Sequence, residues 1–140
     1  MHRNQLLTLL EAYHPTAREE MQFKEQMTHF IKKHPDCFER TLEIGHITGS
    51  ACILNKEHTH GLLLHHTKLD TWFQLGGHCD GDSDVLQVAL KEAQEESGIL
   101  GIEPLSIEIF DIDIHRIPEN KREKAHDSLR RAFFAPGNKR

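Results

Sequence analysis

The chain has little that would mark a secreted, membrane-bound or polymer-binding protein. It carries three cysteines, Cys37, Cys52 and Cys79, an odd number whose spacings match neither a zinc pattern nor a disulfide framework. The expectation that follows is three ordinary thiols in a reducing cytoplasm. No apolar run approaches the ~18 residues of a membrane span, and the opening MHRNQLLTLLEAYHPTAREE turns acidic too soon for a signal peptide. A basic excess is missing too: 17 Lys and Arg stand against 22 Asp and Glu, a net charge of −5. A sequence-independent grip on a nucleic-acid polymer needs a basic face. An acidic chain that handles anionic substrates needs a metal or a local basic patch instead. Repeats and low-complexity segments are absent.

What is present is enough chain, 140 residues, for one compact domain with a real core. Residues 1–40 read as a helical N-terminal extension packed on that core. NQLLTLLEAY (4–13) carries a helical apolar stripe that His14-Pro15 interrupts. A longer amphipathic helix is expected over 16–34, with Thr16 as N-cap, Glu19 at the capping-box spacing, and Met21, Phe23, Met27, Phe30 and Ile31 on its apolar face. Residues 41–140 change texture. Strands are expected at 43–54, 61–66 and 71–75, the last running into Gly76-Gly77. A loop, HCDGDSD, precedes a helix at 84–97 capped by Asp84, and strands follow at 105–117 and 126–134. This order predicts an α/β layer structure with a mixed sheet.

Histidine is abundant, with 12 residues, of which His58, His60, His65, His66 and His78 fall close together. His58 and His60 would share a strand face if that segment were extended. No H-E-x-x-H or Cys/His ligand set accompanies them, so solvated or hydrogen-bonded rings are expected rather than a dedicated metal site.

The segment KEAQEESGI (91–99) raises the sharper question. Glu92, Glu95 and Glu96 stand at i, i+3 and i+4, where like charges repel on one helix face. A solvated acidic face is the plain reading. A hard divalent cation, Mg2+ or Mn2+, would relieve the repulsion, because such ions take carboxylate oxygens and, for Mg2+, substrate phosphates.

The wider segment resembles the Nudix signature, G-x5-E-x7-R-E-U-x-E-E-x-G-U with U a bulky apolar residue. It matches at Gly77, Glu92, Glu95, Glu96, Gly98 and Ile99 with every spacing intact, and Trp72-Phe73-Gln74-Leu75-Gly76-Gly77 resembles the usual lead-in. The likeness covers roughly residues 43–134. GHITGSA, HHTKLDTWFQLGGHCDGD and DIDIH together resemble a bacterial branch of the superfamily that brings no substrate with it. The resemblance implies an α-β-α sandwich with a mixed sheet, and hydrolysis of a diphosphate linkage in a nucleoside diphosphate joined to another group. Mg2+ or Mn2+ would be held by Glu92, Glu95 and Glu96, one of the last two also orienting the water. Gly76 and Gly77 would bend the loop toward the substrate, with His78 and Lys91 beside it, and His78 and His115 are groups able to reach phosphates. Trp72 is read as a core residue, with base stacking as the alternative.

Four positions depart from the pattern. Ser83 replaces the first glutamate, Lys91 the arginine, Ala93 a bulky apolar residue, and Leu75 the proline before the glycines. Asp80, Asp82 or Asp84 could stand in for the missing carboxylate. Lys91 keeps a charge but loses the forked guanidinium. Glu119, Glu123, His126 and Asp127 are candidates for a general base. The second reading is therefore a catalytically weakened nucleotide-binding or regulatory module of the same fold. A third is a diphosphate isomerase, which would need Cys79 as a catalytic thiol. The resemblance implies a closing helix over one side of the sheet; with six residues following Phe134 here, the N-terminal helices or a second subunit, in a homodimer, are expected to cover that side.

Overall fold

The computed structural model describes residues 2–66, 70–117 and 126–136, the last of these, with 66 and 116–117, by backbone alone. Two helices open the chain, α1 (Asn4–Ala12) and α2 (Arg18–Lys33). The Arg3 guanidinium donates to the carbonyls of Ile31 (2.7 Å) and Lys32 (3.1 Å), so the start of α1 closes the end of α2. Those carbonyls have no partner within the helix, which is why a cation suits them. The expected cap at Thr16 is not formed: Ala17 takes the N-cap position and no side chain caps the helix. Glu19 and Glu20 in the first turn and Lys32 and Lys33 in the last complement the helix dipole instead.

β1 (Gly45–Leu54) is the centre of a mixed five-stranded sheet. One edge pairs antiparallel with β5 (Leu75–His78) and then with β2 (Gly61–Leu62). The other edge pairs parallel with β7 (His126–Pro136), and β6 (Ile109–Ile117) lies antiparallel outside β7, with a register shift between Ile109 and Asp111. The strand expected at 61–66 divides at Leu63. β2 stays on β1, while β3 (Leu64–His66) leaves the sheet to pair with β4 (Thr71–Phe73) as a small ribbon. The strand expected at 71–75 divides at Gln74, and the two glycines join β5 rather than a loop. Residues 105–108 stay outside β6, where the Ser106 hydroxyl accepts the Glu108 N–H at 3.0 Å. His58 and His60 lie in the β1–β2 turn, with His58 at φ 58, and so do not share a strand face.

α3 (Val85–Ser97) packs on β1 and β5, and α2 packs along β6. Its buried stripe is Val85, Val88, Ala89 and Ala93, with Leu86 and Leu90 at the margin, one step round from the expected 86, 89, 90 and 93. The small Ala89 and Ala93 let the helix approach the strands closely. Leu6, Leu10, Met27 and Ile31 share one buried cluster with Ile47, Ala51 and Ile112. The chain is thus a small α/β protein in which the N-terminal helices and the sheet have a common core. No helix among the described residues is long and apolar enough to cross a membrane.

Where α2 meets β6, Tyr13 Oη donates to Glu20 Oε1 at 2.9 Å, and Glu20 also bonds the Asp111 carboxyl and the Ile112 N–H. Burial, the Glu20 hydrogen bond and the Glu20 charge raise Asp111 to about 6. The hydrogen bond from Asp111 holds Glu20 below its ordinary value. A carboxyl that binds its proton more tightly when folded stabilises the fold at low pH and loses that contribution as pH rises through about 6. Glu20 acts oppositely, losing its contribution as pH falls below the usual carboxylate range. Stability is therefore expected to rise from pH 7 to pH 5 in thermal melts, and Asp111→Asn should flatten that rise. An unchanged slope in the variant would remove the pair as its origin.

Candidate active site

The acidic helix has firm ends. Asp84 Oδ1 accepts the Gln87 N–H at 3.2 Å, the expected N-cap. Gly98, at φ 71, reverses the chain in the left-handed region and donates its N–H to the Gln94 carbonyl at 2.9 Å. Glu92, Glu95 and Glu96 therefore occupy the last turns of α3, beside β5.

The two glycines meet different things. A side chain at Gly76 would enter the Gly49 and Ser50 backbone on β1, so strand pairing forbids one. A Cβ at Gly77 would lie 2.8 Å from Glu92 Cδ, so the bare backbone there makes room for a carboxylate. One turn further on, Glu96 Oε1 accepts the Gly76 N–H at 2.9 Å. Gly76 and Gly77 thus join β5 to glutamates 15 to 20 residues further along the chain. Glu92 is partly buried, and burial raises its carboxyl first, followed by the charges of Glu95 and Glu96; Lys91 opposes the shift and Asp80 adds to it. Glu95 and Glu96 are exposed.

These oxygens are the donors a hard cation prefers. Among the described residues, however, no three His, Cys, Asp or Glu side chains are gathered so as to hold a metal ion. Glu96 is drawn to the Gly76 amide rather than toward its neighbours.

The loop between β5 and α3 answers the question set by Ser83. Asp80 is held by Arg40 through two bonds of 2.8 Å, and that guanidinium keeps its carboxyl below the usual range. Asp82 accepts the Asp84 N–H at 2.9 Å, and Asp84 caps the helix. Each of the three aspartates is engaged in shaping the loop. Ser83 itself is partly buried and Lys91 is exposed.

His78 meets His46, with Nδ1 and Nε2 3.1 Å apart, and His46 is 1% exposed. Arg40 and His46 do not show as site neighbours in the sequence: Arg40 lies in no motif, and His46, although within GHITGSA, reaches His78 only through the pairing of β1 with β5. His115 lies on β6, aligned through Ser128 of β7 with His46 two strands away, and is hydrogen-bonded to Asp113 at 3.0 Å. Of the proposed bases, Glu119 and Glu123 lie outside the described residues; His126 and Asp127 begin β7, whose side chains also lie outside them. Cys79 is 4% exposed, which sets it apart from the accessible thiol an isomerase would use. Burial likewise raises Cys37, to about 11, and Cys52. Trp72 is 63% exposed, which overturns its reading as core: it sits on the β3–β4 ribbon, outside the sheet.

No protein-family model and no curated protein matches the chain.

Proposed function

We propose that the chain is a metal-dependent hydrolase of the Nudix type, with the corresponding α-β-α sandwich, cleaving a diphosphate linkage in a nucleoside diphosphate joined to another moiety. The observation that carries this reading is the contact of the Gly76-Gly77 backbone with Glu96 and Glu92. It brings together residues that the resemblance assigns to one site. On the resemblance, Mg2+ or Mn2+ would be held by Glu92, Glu95 and Glu96, whose carboxylates would have to turn toward one another to share the ion; the ion would supply charge neutralisation and activation of a water. Burial and the neighbouring glutamate charges raise the Glu92 carboxyl, and a cation nearby would favour its charged form. The Gly76 amide orients Glu96, and the bare Gly77 backbone sets the depth of Glu92. His78, anchored by His46, offers a ring at the mouth of the loop. The substrate is a small molecule rather than a nucleic-acid polymer or a membrane, the setting is cytoplasmic, and a homodimer is compatible with the reading.

A second reading, a weakened nucleotide-binding or regulatory module, is favoured by one observation: the aspartates around Ser83 are all engaged within the loop. The deciding experiment is hydrolysis of nucleoside triphosphates, ADP-ribose, NADH, dinucleoside polyphosphates, nucleotide sugars and isopentenyl diphosphate, with Mg2+ and with Mn2+. Turnover that disappears without metal and in Glu95→Gln is the expected outcome. Metal and nucleotide binding by calorimetry with no turnover on any compound would give the lead to the binding module.

A further inference from the structure

The β3–β4 ribbon places unusual surface in water. Leu64 on β3 and Trp72 on β4 are both exposed, as are Leu62 and Leu63 just before the ribbon, and Trp72 is the most exposed of the four. Trp72 is the chain's single tryptophan. The indole lies beside its cross-strand partner His65, ring centroids 4.8 Å apart and planes tilted by 45°. His65 is in turn fixed by a 2.9 Å bond from Nε2 to Asp70 Oδ1. The result is an aromatic surface with one ring held in place and polar atoms at its margin.

The geometry points to this ribbon as the platform on which the nucleobase of the substrate stacks, an inference that rests on the diphosphate-hydrolase reading. Trp72 is four residues before Gly76, so a strand rise of ~3.3 Å per residue keeps their backbones within about 13 Å. Gly76 is the residue whose amide holds Glu96. A nucleotide with its diphosphate at the acidic face thus has its base within reach of the indole. Every base offers a π-face, so stacking selects for a nucleoside without selecting which one. A second copy of the chain is the poorer occupant. Two strands of three residues fall far short of the roughly 800 Å2 that each partner contributes to a stable interface.

Because Trp72 is the only tryptophan, its emission reports on this site alone. The protein would be titrated with ADP, adenosine and inorganic pyrophosphate, without metal. Quenching by ADP and adenosine but not by pyrophosphate is expected. In the hydrolysis assay, Trp72→Ala should raise KM for a nucleoside-containing substrate about tenfold with kcat retained. Trp72→Phe should restore most of the loss. Turnover of nucleoside compounds with no change in emission, and no KM effect in Trp72→Ala, would overturn the platform and leave the hydrolase reading intact. Quenching by nucleosides in a protein with no turnover would do the reverse. Emission that changes with protein concentration alone would assign the ribbon to a second copy and overturn the inference.

Discussion

Glu92→Gln should lower kcat by at least about a hundredfold while leaving the folded protein slightly more stable. The two effects have opposite signs because they arise from the same charge. Glu92 is partly buried and faces Glu95, Glu96 and Asp80, so its ionised form is disfavoured in the fold. Removing one of several like charges on a helix face relieves roughly 0.2–0.5 kcal/mol per pair. Catalysis loses a ligand to the proposed cation. The charge stabilisation such an ion supplies amounts to several kcal/mol, and each 1.36 kcal/mol is about tenfold in rate. Thermal melts and turnover measured on the same preparation would check both halves. A variant that keeps its activity would remove Glu92 from the site. A variant that loses stability would mean that the carboxylate is held by partners rather than repelled by neighbours.

Alanine at the two adjacent glycines should separate structure from chemistry. At Gly76 the new methyl group would meet Ser50 Cα at 2.6 Å, and neither strand backbone can withdraw without breaking the β1–β5 pairing. Overpacking of this kind costs about 3 kcal/mol, which for a chain of this size lowers Tm by about 10 °C. At Gly77 the methyl group meets the end of the Glu92 side chain, which can rotate away. Gly77→Ala should therefore melt within a few degrees of the parent and lose about a hundredfold in turnover, since a misplaced group about 1 Å out of position costs that much. Equal melting temperatures for the two variants would contradict the register of β5 on β1. Full activity in Gly77→Ala would contradict the role given to the Glu92 contact.

Much of this arrangement is local and so could be read along the chain. The Asp84 cap, the Gly98 stop and the helix between them rest on hydrogen bonds spanning three or four residues. The acidic face follows from helical periodicity alone. The strands after residue 41 were legible as apolar runs bounded by turn formers, but their ends were not. β2 and β3 divide at Leu63, and β4 and β5 at Gln74, because pairing partners elsewhere in the chain determine where each ladder stops. Thr16 has the right chemistry for a cap, but α2 begins at Arg18 with Ala17 as its N-cap, and the tertiary contact from Arg3 falls at the opposite end, on the Ile31 and Lys32 carbonyls. Trp72 looked like core by its type, and only the departure of the β3–β4 ribbon from the main sheet leaves it in water.

The spacing of the glycines and glutamates, the helix that carries the carboxylates and the imbalance of charge on that helix are all legible in the order of residues. These depend on backbone geometry and short-range hydrogen bonds, which the order of residues specifies directly. Tertiary structure alone decided what each group faces. It set Glu92 over Gly77 and Glu96 on the Gly76 amide. It paired His46 with His78, and it assigned Asp80 to Arg40. Such contacts join residues 15 to 40 positions apart, and the packing of α3 and the loops against β1 and β5 brings them together.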